Sequence, residues 1–378
     1  MSDINIIEVN DKPLLRRFIR VQYEAYKDDP NFVPPLMLER LESLSADKNP
    51  YFGHAEVGLF IAERGGADVG RISTQVCDMA NKQFGPGLGH FGLFEAADAD
   101  IASALFKHAE VWLRERKMTR IQGPWDLSPN EQCGMLIDGF DTPPVILMNH
   151  HKPSYGGWMD GMGFEKAKDL YAYEMNTQMG QSEDLQKIYQ LALRNKNISF
   201  REIDMKRWDE EIRLVLDIFN DAWVGNWGFV PLTEAEIAHT AKALKPLVKP
   251  WRTIVTEYKG EPVAFMITLP DINHMIRDLN GSLLPFGWAK LLWRLVLSGK
   301  ETRHRCPLMG VKKELHGQRV TALMVMGMVN ISLENVTKRG SEFGEMGWIL
   351  EDNHSMRNIL ENGTGSLYKT YRIYEKAL

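Results

Sequence analysis

Cysteine is scarce: Cys77, Cys133 and Cys306 are the only three in 378 residues, and they lie far apart. They supply neither a disulfide framework nor a paired metal motif, so a reducing, cytoplasmic setting is expected. Charge of one sign is not in excess. A formal net charge of −5 offers no basic surface for bulk nucleic-acid binding, and no nucleic-acid partner is expected. No run of about 18 uninterrupted apolar residues occurs, so no transmembrane helix is expected. The opening stretch MSDINIIEVNDK carries acids and no apolar h-region, so no signal peptide is expected. His54, His150 and His151 have no ligand spacing, and no metal is assigned. There is no G-x-S-x-G and no other hydrolase signature.

What is present is a chain too long for one ordinary domain. At roughly 100–200 residues per domain, two are expected. The apolar fraction of 44% and the charged fraction of 25% are globular values with material for two cores. Ten Trp and 19 Met stand out. Both residue types suit broad apolar binding surfaces as well as cores.

The two domains read as one domain written twice. Asn31-Phe32-Val33-Pro34-Pro35-Leu36 matches Gly228-Phe229-Val230-Pro231-Leu232. Gly66-Ala67-Asp68-Val69-Gly70, between LFIAER and RISTQV, matches Gly260-Glu261-Pro262-Val263-Ala264, between RTIVTEY and FMITL. Both read as strand, tight turn, strand. The halves end alike, in DLYAYE and TYRIYE. Each half predicts the order β-α-α-β-β-β-α-β-α-β, a mixed α/β layout. A polar linker from about Thr177 to Asp184 separates domains at 1–178 and 179–378.

This order resembles the GNAT fold of acyl-CoA-dependent N-acyltransferases. The second half carries the closer piece, LMGVKKELHGQRVTALM, in which a strand holding Met309 and Val311 runs into a helix. The resemblance places the pyrophosphate loop at His316, Gly317, Gln318, Arg319 and Val320. Exposed amides and the positive helix end suit a diphosphate, and Lys312, Lys313 and Arg319 add charge. Arg319 departs from the pattern, which wants a small residue there. The matching stretch of the first half, FGLFEAADADIASAL, is acidic and lacks the loop. The first copy is therefore read as degenerate, shaping the acceptor site. The strings NPYFGHAEVGLFIAE, GPWDLSPNEQCGMLIDGFDTPP, NWGFVPLTEAE, WILEDN and YKTYRIYEK narrow the resemblance to a bacterial GNAT branch that includes the bacterial ceramide synthases. Such enzymes transfer a fatty acyl group from acyl-CoA to a sphingoid base, sphinganine or 3-ketosphinganine.

That chemistry needs a base, because an alkylamine is largely protonated at neutral pH, by analogy with Lys at roughly 10.4. It also needs an acid for the leaving thiolate. The resemblance makes Glu345, at the start of EMGWIL, the leading base, with Glu95 and Glu131 as runners-up. Tyr368 and Tyr371 are its candidates for the acid, and Asn353 for a contact to the CoA arm; a plain helix cap is the alternative for Asn353. Asn226, Trp227 and Phe229 are expected to wall the acceptor chain. Glu95, Asn130 and Glu131 are expected near its polar head.

An insertion at about 279–305, LNGSLLPFGWAKLLWRLVLSGKETRHR, is apolar and then basic. It reads as a helix lying on a membrane, with Lys290, Arg294, Lys300, Arg303 and Arg305 near anionic lipid, as the lid of an acyl tunnel, or as a buried helix. The first reading adds a peripheral site on the inner face of the cytoplasmic membrane. Other readings of the whole chain stay open: transfer to a different amine, or a lipid-binding pseudo-acyltransferase.

Overall fold

The computed structural model describes residues 3–179, 182–297, 301–363 and 365–378. Gly180 and Gln181 of the expected linker, and Lys300 of the expected basic cluster, lie outside them. The first half opens with strand β1 (Ile4–Glu8) and helices α1 (Lys12–Ala25) and α2 (Met37–Ser43). Asp11 caps α1 by accepting the Leu14 amide, and Pro13 sits in its first turn, where no donor is needed. A hairpin follows, β2 (Ala55–Arg64) and β3 (Ala67–Cys77). Its turn falls at Gly65 and Gly66, both at positive φ, which glycine adopts without a Cβ clash. Then come α3 (Asp78–Phe84), the wholly buried β4 (Leu88–Ala96), α4 (Ala99–Glu115), β5 (Arg120–Gly123), β6 (Met135–Asp138), α5 (Ser154–Gly161) and β7 (Glu165–Asn176).

The second half follows the same order with a helix added in front and, among the described residues, no counterpart of β6. It contains α6 (Glu183–Arg194), β8 (Ile198–Glu202), α7 (Trp208–Trp223), α8 (Glu234–Leu244), and a second hairpin, β9 (Thr253–Tyr258) and β10 (Glu261–Pro270). The insertion supplies α9 (Ile272–Ile276), α10 (Gly287–Leu292) and a π-helical turn, Trp293–Leu297. The half closes with β11 (Arg303–Val311), α11 (Arg319–Thr337), β12 (Phe343–Leu350), α12 (His354–Glu361) and β13 (Gly365–Ala377). Among the described residues, α11 alone is long and apolar enough to cross a bilayer. Met324, Met328 and Val329 of α11 belong to a core cluster with Met266 and Met346.

The chain forms two compact units that interleave in sequence. The first takes the chain to Leu170, with Asn273–Leu291 and Lys369–Leu378; the second takes Tyr171–Ile272 and Leu292–Tyr368. In the first, strands run β1-β2-β3-β4-β5-β13, with β6 also on β13; in the second, β7-β12-β11-β10-β9-β8.

Each unit contains the same irregularity. In the second, Ile267 faces Leu308 while Leu269 faces Arg305, so Cys306 and Pro307 together oppose Thr268. This is a β-bulge, and Pro307, lacking an amide hydrogen, fits it. The parallel pairing of β11 with β12 ends at the same place, at Cys306 and Met346. Beyond the bulge the two parallel strands part. In the first unit Arg71 faces Glu95 while Ser73 faces Gly92, so Leu93 and Phe94 oppose Ile72. There the parallel pairing of β4 with β5 ends at His90 and Gln122.

Candidate functional site

The second unit gathers three side chains at the parting of β11 and β12. Glu345 is 1% exposed. Its Oε1 lies 3.0 Å from Nε of Arg305, directly across the pairing, and its Oε2 accepts the Tyr368 hydroxyl. Arg305 Nη2 also donates to the Gly347 carbonyl at 2.8 Å. Glu345 is thus a buried, paired carboxylate and not a solvated strand-edge residue. Tyr368 is half-buried, with its ring edge-on to Phe343. Arg305 is a reassignment: sequence reasoning sent it to a lipid surface, whereas the strand buries it at 2% exposure. Arg303 is corrected likewise. It pairs with Asp271 at 3.2 Å and stacks on Phe343.

The strand's far end leads to the expected phosphate loop. Val311 is buried and Met309 half-buried. The Met309 carbonyl accepts Trp223 Nε1 at 3.1 Å, and Trp223 meets Trp348 edge-on. His316, Gly317, Gln318 and Arg319 are exposed, and Val320 is half-buried. His316 Nε2 turns back to the Val311 carbonyl at 2.7 Å. Gly317 has φ +75°, and a Cβ there would meet nothing within 4 Å, so the chain runs open to solvent. No side chain caps α11. Its first turn, on an exposed loop with Arg319, therefore carries no side-chain cap, and Lys313 Nζ stands near Gly225 on the turn after α7, an arrangement that can hold a diphosphate. The corresponding helix of the first unit, α4, differs. Asp98 already caps it, accepting the Ile101 amide at 3.0 Å. A carboxylate thus holds the place an anion would take.

Asn353 caps α12 by accepting the Met356 amide. Asn226 and Trp227 are half-buried on the turn after α7. Phe229 is not a surface wall: it is 3% exposed and packs on Phe219 and Trp223. A Gly/Pro loop context suggested exposure, but the aromatic ring fills the core behind α7.

Tyr371 falls in the first unit, wholly buried opposite Leu136 and against Gly134. Alternation along a strand puts residues three apart on opposite faces, so Tyr371 does not share the face of Tyr368. Glu95, also in this unit, is 2% exposed. The Tyr155 hydroxyl donates to its Oε2 at 3.0 Å, and Arg71 lies 3.6 Å from Oε1. Burial pushes the carboxyl up to about 7, against the pull of Arg71 and of the Tyr26 and Tyr155 hydroxyls. Asn130 is half-buried and Glu131 exposed, on the loop where Gln132 accepts from Arg40 at 2.6 Å. Among the described residues no three His, Cys, Asp or Glu side chains converge to hold a metal. Sequence reasoning missed the partners Arg305, Arg71, Tyr26 and Tyr155. The one usable signal was Pro307 inside a strand pattern, which marks the bulge beside Arg305.

No family profile matches the chain. A protein of Caulobacter vibrioides (strain NA1000 / CB15N) named bacterial ceramide synthase is 41% identical over 382 residues, covering 100% of this chain and 98% of its own. Protein YghO of Escherichia coli (strain K12) is 41% identical over 366 residues, covering 96% and 93%. Among solved structures, a tandem GNAT protein from the clavulanic acid biosynthesis pathway superposes with a TM-score of 0.58 at 12% identity, covering 99% of this chain and 98% of that one. That likeness shows the fold: two GNAT domains in tandem. With a relative this similar over its full length and this architecture, the chain belongs to the bacterial ceramide synthase family of GNAT-fold N-acyltransferases.

Proposed function

We propose that this protein transfers a long-chain fatty acyl group from acyl-CoA to the amine of a sphingoid base, sphinganine or 3-ketosphinganine. The observation that carries the reading is local. An uncapped, basic helix start follows a strand that parts from its parallel neighbour where Arg305, Glu345 and Tyr368 meet. The diphosphate of CoA sits at the start of α11, held by its amides and by Lys312, Lys313 and Arg319. The thioester lies between β11 and β12.

Tyr368 directs its proton to Glu345, which leaves the phenol lone pairs turned outward. They accept an N–H of the alkylammonium, and the Tyr368–Glu345 pair takes its first proton and passes it to water. The free amine then attacks the thioester carbonyl. As the C–N bond forms and the C–S bond breaks, nitrogen loses its second proton to the leaving thiolate, with the Tyr368 hydroxyl as the carrier. Arg305 supplies the counter-charge that lets a carboxylate stand in this buried place.

The reading extends to location. The lipid acceptor is met at the cytoplasmic face of the membrane, through the apolar stretch from Leu284 to Leu297. The test is incubation of the purified protein with palmitoyl-CoA and sphinganine or 3-ketosphinganine, with mass spectrometry of the lipids. An N-acyl sphingoid product is expected. Acylation of other amines but neither base would favour the second reading, and acyl-CoA binding without turnover the pseudo-acyltransferase.

A further inference from the structure

A small cavity, partly open to solvent, lies between α11 and the sheet of the second unit. Met175, Met266, Val329, Leu333, Val336 and Met346 supply its apolar wall. The polar groups around it are occupied with one another. Thr268 and Ser332 share a hydrogen bond at 2.8 Å, His304 meets Ser341 at 2.9 Å, and Arg305 is paired with Glu345. A ligand entering here would therefore meet thioether and aliphatic carbon and would leave no donor stripped of its partner. Unbranched, adaptable methionines on three strands of its sheet wall suit a flexible hydrocarbon better than a rigid ring.

Cys306 and Met346 line the same cavity, and they are the last paired residues before β11 and β12 part. The cavity therefore begins at the gap where the thioester is placed. The phosphate loop lies at the other end of β11. From Cys306 to Lys312 a strand covers roughly 20 Å, at about 3.3 Å per residue, a span suited to an extended pantetheine arm. A chain continuing in the same direction past the thioester runs into the cavity.

We infer that this cavity receives the fatty acyl chain of the donor, a statement that rests on the acyl-CoA reading above. Val329→Phe narrows the cavity and Met346→Ala widens it; neither residue belongs to the catalytic set. Val329→Phe is expected to lose about tenfold or more in kcat/KM for palmitoyl-CoA relative to octanoyl-CoA, since burying two methylenes is worth about that factor. Met346→Ala is expected to move the preference toward longer chains. The ratio within one variant cancels any loss of folded protein. A second measurement needs no turnover: palmitoyl-CoA carrying a diazirine at its methyl end is photolysed with the wild-type protein, and labelled peptides are mapped. Labelling within 175–177, 266–268, 304–306, 323–337 or 343–350, the segments that line the cavity, is expected. Labelling elsewhere, or labelling at these peptides by a diazirine-bearing sphinganine and not by the donor, overturns the assignment. So do equal losses at every chain length in both variants. Labelling of the cavity with no N-acyl product would sink the proposed reaction and leave the cavity assignment standing.

Discussion

Tyr368→Phe removes the hydroxyl that Glu345 holds and keeps the ring against Phe343. Loss of a positioned acid–base group costs typically about 100-fold or more in rate, so kcat should fall by that order with little change in KM for acyl-CoA. Tyr371→Phe, buried in the first unit, should keep kcat near wild type. Steady-state kinetics read both, and a Tyr368→Phe enzyme with wild-type kcat removes this phenol from the chemistry. Glu345→Gln is a poorer probe, because it breaks the buried pair with Arg305, a change that costs about 3–5 kcal/mol. Glu95 carries a pH signature instead. Its folded value, about 7, stands above the ordinary 4.5, so the folded state holds its proton more tightly than the unfolded chain. That contribution is fully present below about pH 4.5 and is lost as pH rises through about 7, for roughly 3 kcal/mol in all. Between pH 5 and 8, thermal unfolding of Glu95→Gln should therefore shift in the variant's favour relative to wild type. A pH-independent gap would mean that Glu95 titrates normally. Sequence named Glu345, Tyr368 and Glu95 but not their settings. Glu345 owes its burial to Arg305 on a neighbouring strand, and Glu95 to a tyrosine from α5, pairings that no local pattern carries.

At the scale of elements, hairpins, caps and amphipathic helices were legible because their causes are local. Gly65-Gly66 turns one hairpin, and Asp98 stops one helix start from binding anions. Phe229 was not legible, since its burial depends on α7 crossing behind it. The insertion separates the three readings offered for it. Seven of its large apolar residues from Leu284 to Leu297, among them Phe286, Trp288 and Trp293, are between 51 and 77% exposed, against burial as a core helix, while Leu291 and Leu295 are half-buried. Lys290 is paired with Asp278, and Arg303 and Arg305 are folded into β11. Attraction of this segment to a bilayer would therefore rest on its aromatics and aliphatics more than on charge. Vesicle flotation tests it. Wild-type protein should float with vesicles, weakly dependent on salt, and Trp288→Glu with Trp293→Glu should leave it at the bottom of the gradient. Equal flotation of both would end the membrane reading.

At the scale of the molecule, the twofold repeat was legible from short matching strings, whereas the way the chain is shared out was not. Repeat boundaries follow the sequence; compact units follow strand partners. Residues 369–378 pair with β5 and β6 of the first unit, where Lys369 is buried and donates to the Gly139 and Thr142 carbonyls, and Arg372 pairs with Asp169 at 2.8 Å. A fragment of residues 1–178 would lack that strand and expose the edges of β5 and β6. It should show no cooperative thermal unfolding, whereas the full chain should. A fragment that melts cooperatively would mean that the first copy folds without its distant strand.

The bulge at Cys306 and Pro307 opens β11 from β12 in one direction only, and this imposes an order in time. If the donor's chain lies in the cavity below that opening, it enters methyl end first and brings its CoA in behind it, before the amine arrives. After transfer the chain is part of the product, and if it withdraws by the way it entered it meets the gap that CoA still fills. CoA must then leave first and the N-acyl lipid last. Product inhibition reads this directly: the lipid should compete with acyl-CoA and not with the amine.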